Sequence, residues 1–148
     1  MERLTFPRGS RVYLDTAPII YSVEEHESYW SVLQPLWAFL KNGEIEVVTS
    51  ELSMLETLVV PLRNEDADLI TAYETLLTAS QVELIPINTS VLRTAAELRA
   101  KQNLKTPDAI HASTASLSNC DLLISNDEGF RRLTTIDVII LSDLIQGI

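Results

Sequence analysis

Short, nearly continuous apolar runs alternate along the chain with longer stretches in which apolar positions recur every three or four residues, the pattern of buried strands joined by amphipathic helices. Arg11-Val-Tyr-Leu-Asp15 is the first of the runs and ends in an acid. Thr16-Ala-Pro-Ile-Ile-Tyr21 then suits a turn into a helix. From Tyr29 to Lys41, Val32, Leu33, Leu36, Trp37 and Leu40 form one helical stripe, closed by Asn42-Gly43. Glu46-Val-Val-Thr49 predicts a second strand. A helix beginning at Ser50 or a neighbour is expected to stop before Pro61. Asn64 to Ala79 carries Leu69, Ile70, Tyr73, Leu76 and Leu77 at helical spacing, and Val82-Glu-Leu-Ile-Pro-Ile87 predicts a third strand whose proline places it near an edge or at its end.

The next helix begins at Asn88, with Leu92, Ala95, Ala96 and Leu98 as its core positions. Thr106 reads as an N-cap with Pro107 first in the helix, a start signal that leaves Asp108 in the opening turn and an end near Ser118 and Asn119. Asp121-Leu-Leu-Ile-Ser125 predicts a fourth strand that delivers Asp127 just beyond its carboxyl end, and Ile136-Asp-Val-Ile-Ile-Leu141 a fifth. Strands separated by helices require crossover connections. The expected architecture is therefore α/β: three layers, with a central, mostly parallel, five-stranded twisted sheet flanked by helices on both faces.

Composition narrows this picture. A chain of 148 residues, 46% of them hydrophobic, supports one domain, drawn over residues 1–148. No apolar run approaches the roughly 20 residues of a membrane span, and the first ten residues lack a signal-peptide core, so a soluble cytoplasmic protein is expected. Cys120 is the only cysteine, which excludes an internal disulfide and disfavours a thiolate metal site. With 21 acidic against 11 basic residues, the net charge of −10 argues against general attraction to nucleic acid or anionic membrane. A local basic strip is still available in Arg93, Arg99, Lys101, Lys105, Arg131 and Arg132.

The candidate chemistry is carboxylate chemistry. Ligands of open α/β sheets bind outside the carboxyl ends of the strands, where Asp15 and Asp127 are expected and where Asp108 opens a helix. Each could equally serve as a helix cap, stabilising by about 0.5 to 2 kcal/mol. Glu56 falls on the stripe Leu52, Leu55, Glu56, Val59, and an acid on a buried face needs a partner. Glu51, five residues earlier, is turned off that stripe toward solvent, and the capping-box spelling Ser53-Met-Leu-Glu56 would waste Leu52. Carboxylates converging at 4 Å repel by roughly 4 kcal/mol per pair at an effective dielectric near 20, so such a cluster needs neutralising. Oxygen ligands without a histidine pair or thiolate select Mg²⁺ or Mn²⁺, ions suited to hydrolysing phosphodiesters. His111, three residues after Asp108, shares its helix face and could touch substrate, order a water or simply pack.

Four segments in order, Tyr13-Leu-Asp15-Thr16, Ser50-Glu-Leu-Ser-Met-Leu-Glu56, Thr106-Pro-Asp108-Ala-Ile-His-Ala and Leu123-Ile-Ser-Asn-Asp127-Glu-Gly-Phe130, resemble the PIN-domain ribonucleases, and within them the toxins of toxin-antitoxin modules. The resemblance runs from Val12 to Ile140. It implies a sheet of order 3-2-1-4-5 and an acidic quartet of Asp15, Glu56, Asp108 and Asp127. In that quartet Asp15, Asp108 and Asp127 would hold Mg²⁺ or Mn²⁺, supported by Thr16, Ser125 and Asn126. It also implies an RNA substrate, a cognate antitoxin that blocks the crevice, and a homodimer formed through helices. Two other readings are open: a PIN-like protein-binding module without nuclease activity, and phosphoryl transfer on Asp15, for which the second acid expected two residues on is replaced by Ala17 and Pro18.

Overall fold

The computed structural model describes residues 3–145; residues 1–2 and 146–148, the ends of the span drawn as one domain, lie outside the described residues. Strand β1 (Ser10–Leu14) owes its position to alternation. Val12 and Leu14 enter one core with Ile19, Leu33, Leu36 and Leu77, while Tyr13 enters a second with Leu98, Ala109, Ala112 and Ala115. Successive side chains of a strand point to opposite faces, so a strand apolar on both is buried on both. β1 is accordingly central. It pairs in parallel with β2 (Ile45–Ser50), Val12 opposite Val47, and with β4 (Leu122–Ser125), Val12 opposite Leu122.

β3 (Val82–Ile85) adds to β2 and β5 (Asp137–Ile140) to β4, giving the order β3-β2-β1-β4-β5 with every pairing parallel. The expected sheet and strand order are observed, and the strand ending before Pro86 is an edge. Helices α1 (Thr16–Val23), α2 (Trp30–Lys41) and α4 (Ala67–Leu77) cover one face; α5 (Thr89–Gln102) and α6 (Thr106–Leu117) cover the other. α6 approaches closely because Ala109, Ala112, Ser113 and Ala115, all buried, present so little volume. α2 ends as expected at Asn42, where Gly43 takes a φ of +72° that an L side chain rarely adopts.

Three expectations are corrected. α3 (Glu51–Arg63) does start at the Ser50 cap, but it passes through Pro61 instead of stopping before it. Pro61 lies in the last turn, where its missing amide forfeits a single bond; its ring is buried, and its carbonyl accepts from the Asp66 amide at 2.9 Å. α6 begins at Thr106 with Lys105 in the cap position, because the Thr106 hydroxyl is occupied by Arg99 Nη1 at 2.9 Å and does not cap. On α5 the buried positions are Val91, Ala95 and Leu98, whereas Leu92 and Ala96 face solvent. The two candidate stripes differ by one residue, and only the angle at which α5 lies on α6 decides between them.

Candidate active site

Asp15 leaves the end of β1 directly into α1. Its Oδ1 accepts from the Thr16 amide at 2.8 Å and its Oδ2 from the Ser125 hydroxyl at 2.7 Å. Ser125 closes β4, the neighbouring central strand, and its Oγ also accepts from the Asp127 amide at 3.0 Å. One serine thus spaces two of the expected acids. Asp15 is both a cap and a crevice residue, so those alternatives were never exclusive.

Glu56 reaches the crevice by a different route from the one its stripe suggested. The inward face of α3 is Ser53, Thr57 and Pro61, while Leu55 and Val59 are 61% and 42% exposed. Hydroxyl groups face in here because the neighbouring surface is polar: Ser53 Oγ lies 2.8 Å from Thr49 Oγ1 and 3.2 Å from Thr16 Oγ1. Glu56 sits at the margin of that face. Its Oε1 accepts from Thr16 Oγ1 at 2.7 Å and from His111 Nε2 at 2.8 Å. Burial works against its charge, but those two bonds and the histidine outweigh it and hold the carboxyl below its ordinary range. The discarded Glu51 is exposed, accepting only from the Ile87 amide at 3.3 Å.

His111 is 1% exposed, and the Tyr13 hydroxyl lies 2.6 Å from its Nδ1. Its Nε2 also lies 3.3 Å from Asp15 Oδ1. Tyr13 was not singled out from the sequence, although a signal existed: two residues before Asp15 on one strand, it must share that residue's face. Burial, then the Asp15 charge, push the phenol well above its ordinary pKa and keep it protonated.

Asp108 and Asp127 complete the crevice. Asp127 caps a short 3-10 helix, Glu128–Arg132, through the Gly129 amide at 2.7 Å. Asp108 is buried in the first turn of α6, and no hydrogen bond from the described residues reaches its carboxylate. Burial, then the charges of Asp127 and Asp15, raise its pKa to about 6, with His111 and Lys105 offsetting part of the shift. A Cβ at Gly129 would stand 3.0 Å from Asp127 Oδ1 and 3.2 Å from Asp108 Oδ2. The two carboxylates therefore flank a space that only glycine leaves open. Asn126 behaves otherwise: its amide donates to the Tyr21 hydroxyl at 3.2 Å and accepts from the Ser142 amide at 2.9 Å, tying the loop down without touching an acid.

These donors fit a hard divalent cation. All are carboxylate oxygens, two of them converge beside Gly129, and their mutual repulsion has no cationic side chain strong enough to cancel it. Among the described residues no group of three or more histidine, cysteine or acidic side chains is placed to hold a metal ion; Mg²⁺ keeps waters and takes one or two carboxylates, as the pair beside Gly129 offers. Two residues of the basic strip are ion-paired: Arg131 with Glu128 and Asp143, and Arg93 with Glu97. Burial, chiefly, pushes the Cys120 thiol up to about 12.

The model of the PIN domain family matches residues 12–136. The chain belongs to the PIN domain family. No curated protein matches it. Among solved structures, this PIN domain is similar to VapBC2 from Rickettsia felis, determined bound to a DNA fragment from its promoter (TM-score 0.71, 19% identity, covering 87% of this chain and 97% of that one). It is also similar to VapC20 of Mycobacterium tuberculosis, a toxin that cleaves the sarcin-ricin loop (TM-score 0.67, 15% identity, 81% and 92%). A third is VapBC-1 of nontypeable Haemophilus influenzae (TM-score 0.63, 19% identity, 89% and 98%). At these identities the likeness is one of fold. No helix among the described residues of the PIN domain is long and apolar enough to cross a membrane.

Proposed function

We propose that this PIN domain is a Mg²⁺- or Mn²⁺-dependent endoribonuclease, the toxin of a toxin-antitoxin module, acting in the cytoplasm. The observation that carries the reading is one crevice shared by Asp15, Asp108 and Asp127, each at a helix or strand end, and by Glu56 from the middle of α3, with Asp108 and Asp127 flanking Gly129 and Asp108 raised to about 6 by burial and its acidic neighbours. Holding Asp108 that way costs stability at neutral pH, and strongly perturbed acids in a cleft are a common mark of a functional site. Asp15, Asp108 and Asp127 would hold the ion, which when bound supplies neutralisation of phosphate charge and lowers the pKa of a water nucleophile. Asp15 is kept in place by Thr16 and Ser125, and Asp127 by Ser125 and Gly129. Glu56, held ionised by His111 and Thr16, accepts a proton at its free Oε2 or orients the attacking water.

The exposed apolar residues of α3, Leu55, Val59, Val60 and Leu62, support a protein partner, whether the antitoxin or a second copy in a homodimer. The neighbours VapBC2 and VapBC-1 add support for the antitoxin, and VapC20 for an RNA substrate.

The test is a Mn²⁺ titration of thermal unfolding in metal-free buffer, followed by cleavage of an RNA pool. At a hundredfold excess over its dissociation constant the ion should stabilise the wild type by about 2.7 kcal/mol, or roughly 5 to 10 °C, and leave Asp108→Asn unmoved. An ion response without cleavage of any RNA would sink the nuclease reading in favour of a protein-binding module.

A further inference from the structure

Glu56 receives no hydrogen bond from its own helix. It stands on α3 at the end of a flexible side chain that is 29% exposed, whereas Asp15 is fixed by the backbone amide next to it. What fixes Glu56 is brought from elsewhere: Thr16 from α1 and His111 from α6, both on the same oxygen, Oε1. His111 is in turn held from β1 by Tyr13, which is fully buried. The hydrogen positions follow from the acceptors. Nε2 faces Glu56 Oε1 at 2.8 Å and Asp15 Oδ1 at 3.3 Å, so a lone pair there would meet two carboxylates; the ring must present an N–H at that atom. In the neutral ring Nδ1 is then the acceptor, and the Tyr13 hydroxyl donates to it at 2.6 Å. Among the described residues, Gln102 Oε1 is the only fully buried side-chain polar atom without a partner.

We propose that Tyr13 and His111 are positioning residues for catalysis, Tyr13 locking His111 in its Nε2–H tautomer so that Glu56 is held through Oε1 and keeps Oε2 for the reaction. The inference rests on the nuclease reading of the same crevice. It assigns work to a residue in the sheet core that carries no charge and touches none of the four acids by hydrogen bond. A purely structural role for the pair would show as lost stability, equal for cleavage with and without Glu56. The positioning role proposed here acts through Glu56, the nearer of the two carboxylates at Nε2.

The experiment is a double-mutant cycle of Tyr13→Phe and Glu56→Gln, read as single-turnover cleavage of a labelled single-stranded RNA pool in Mn²⁺, with folding of each variant checked by thermal unfolding. Tyr13→Phe should lower kcat about tenfold with KM nearly unchanged, the usual scale for removing a group that orients a catalytic ligand. In the Glu56→Gln background the same substitution should cost nothing further. His111→Gln, whose amide can still donate to Glu56, should retain more activity than His111→Ala. Independently of cleavage, ¹⁵N spectra should find His111 as a single Nε2–H tautomer in the wild type and as a mixture in Tyr13→Phe, with His111→Gln distinguishing its signals from those of His26. Should Tyr13→Phe fail to fold, the His111→Gln and His111→Ala pair, each with and without Glu56→Gln, completes the cycle. A wild type that cuts no RNA overturns the nuclease reading and this role with it. A wild type that cuts, with a Tyr13→Phe penalty that is absent or is the same without Glu56, overturns this role alone.

Discussion

The two halves of the crevice are built on opposite principles. On one side Asp15 and Glu56 accept hydrogen bonds from Thr16, Ser125 and His111, and Glu56 is held below its ordinary pKa. On the other, Asp108 receives no hydrogen bond from the described residues and is raised to about 6 by burial and by its acidic neighbours. Asp15 and Asp108, one from each half, are buried to a similar depth. The difference is that the protein's own donors satisfy Asp15 and Glu56, while Asp108 in the other half has none among the described residues. Environments that push two carboxyl groups apart in pKa are how one site comes to hold two roles.

That contrast can be broken at its strongest point first. Asp15 belongs to both halves, bonded on one side and repelling Asp108 on the other, so Asp15→Asn should reduce cleavage on the order of a hundred- to a thousandfold while the protein still unfolds cooperatively. Single-turnover cleavage with a thermal scan checks it, and unchanged cleavage refutes it. Gly129→Ala comes next. Its new methyl would press on Asp108 Oδ2 and Asp127 Oδ1, closing the open half without removing a charge, so the Mn²⁺-dependent rise in Tm should shrink or vanish while metal-free stability changes by no more than about 1 kcal/mol. A full Mn²⁺ response in this variant would show that the ion does not sit beside Gly129.

A smaller effect separates the halves by pH. Asp108 binds its proton more tightly folded than unfolded, so the metal-free protein should gain stability as pH falls from about 6 toward about 4 and lose it again as pH rises through that window. Glu56 has the opposite sign: its contribution is present above its unfolded pKa and is lost as pH falls below about 4. Asp108→Asn should flatten the upper window, raise metal-free stability near pH 7 and leave the lower window in place, as chemical denaturation across pH would record. The smallest expected effect is Glu51→Gln, an exposed acid on the same helix as Glu56, which should change neither the Mn²⁺ response nor cleavage by more than about twofold.

Much of this was readable beforehand, for reasons particular residues make plain. Val12, Tyr13 and Leu14 announce a strand buried on both faces, and Thr16 through Tyr21 announce the helix that follows, so Asp15 had to lie at a carboxyl end. Asp127 was placed the same way by the apolar run before it. Glu56 was found by an argument that the structure reverses. Its apolar stripe, Leu55 and Val59, faces outward, and the acid is satisfied by histidine and threonine instead of standing on a buried apolar face. Helical periodicity gives a stripe, but a stripe does not say whether the protein's own core or a partner covers it. The partners of Asn126 and Thr106 were not legible for a related reason: a polar side chain near a site has several partners within reach, and sequence spacing cannot rank them.

The sequence by itself determined the order and type of the elements, the crossovers that make every strand pairing parallel, and the arrival of Asp15 and Asp127 at strand ends, because these depend on short-range periodicity and on turn chemistry. Tertiary structure alone decided what those acids meet. The tie from Tyr13 through His111 to Glu56 joins β1, α6 and α3 across sequence separations of 98 and 55 residues, and the bracket around Gly129 joins α6 to the loop after β4. Hydrogen bonds and charge repulsion act over a few ångströms in space and take no account of distance along the chain, so only the packed fold fixes which acid is held and which is left waiting.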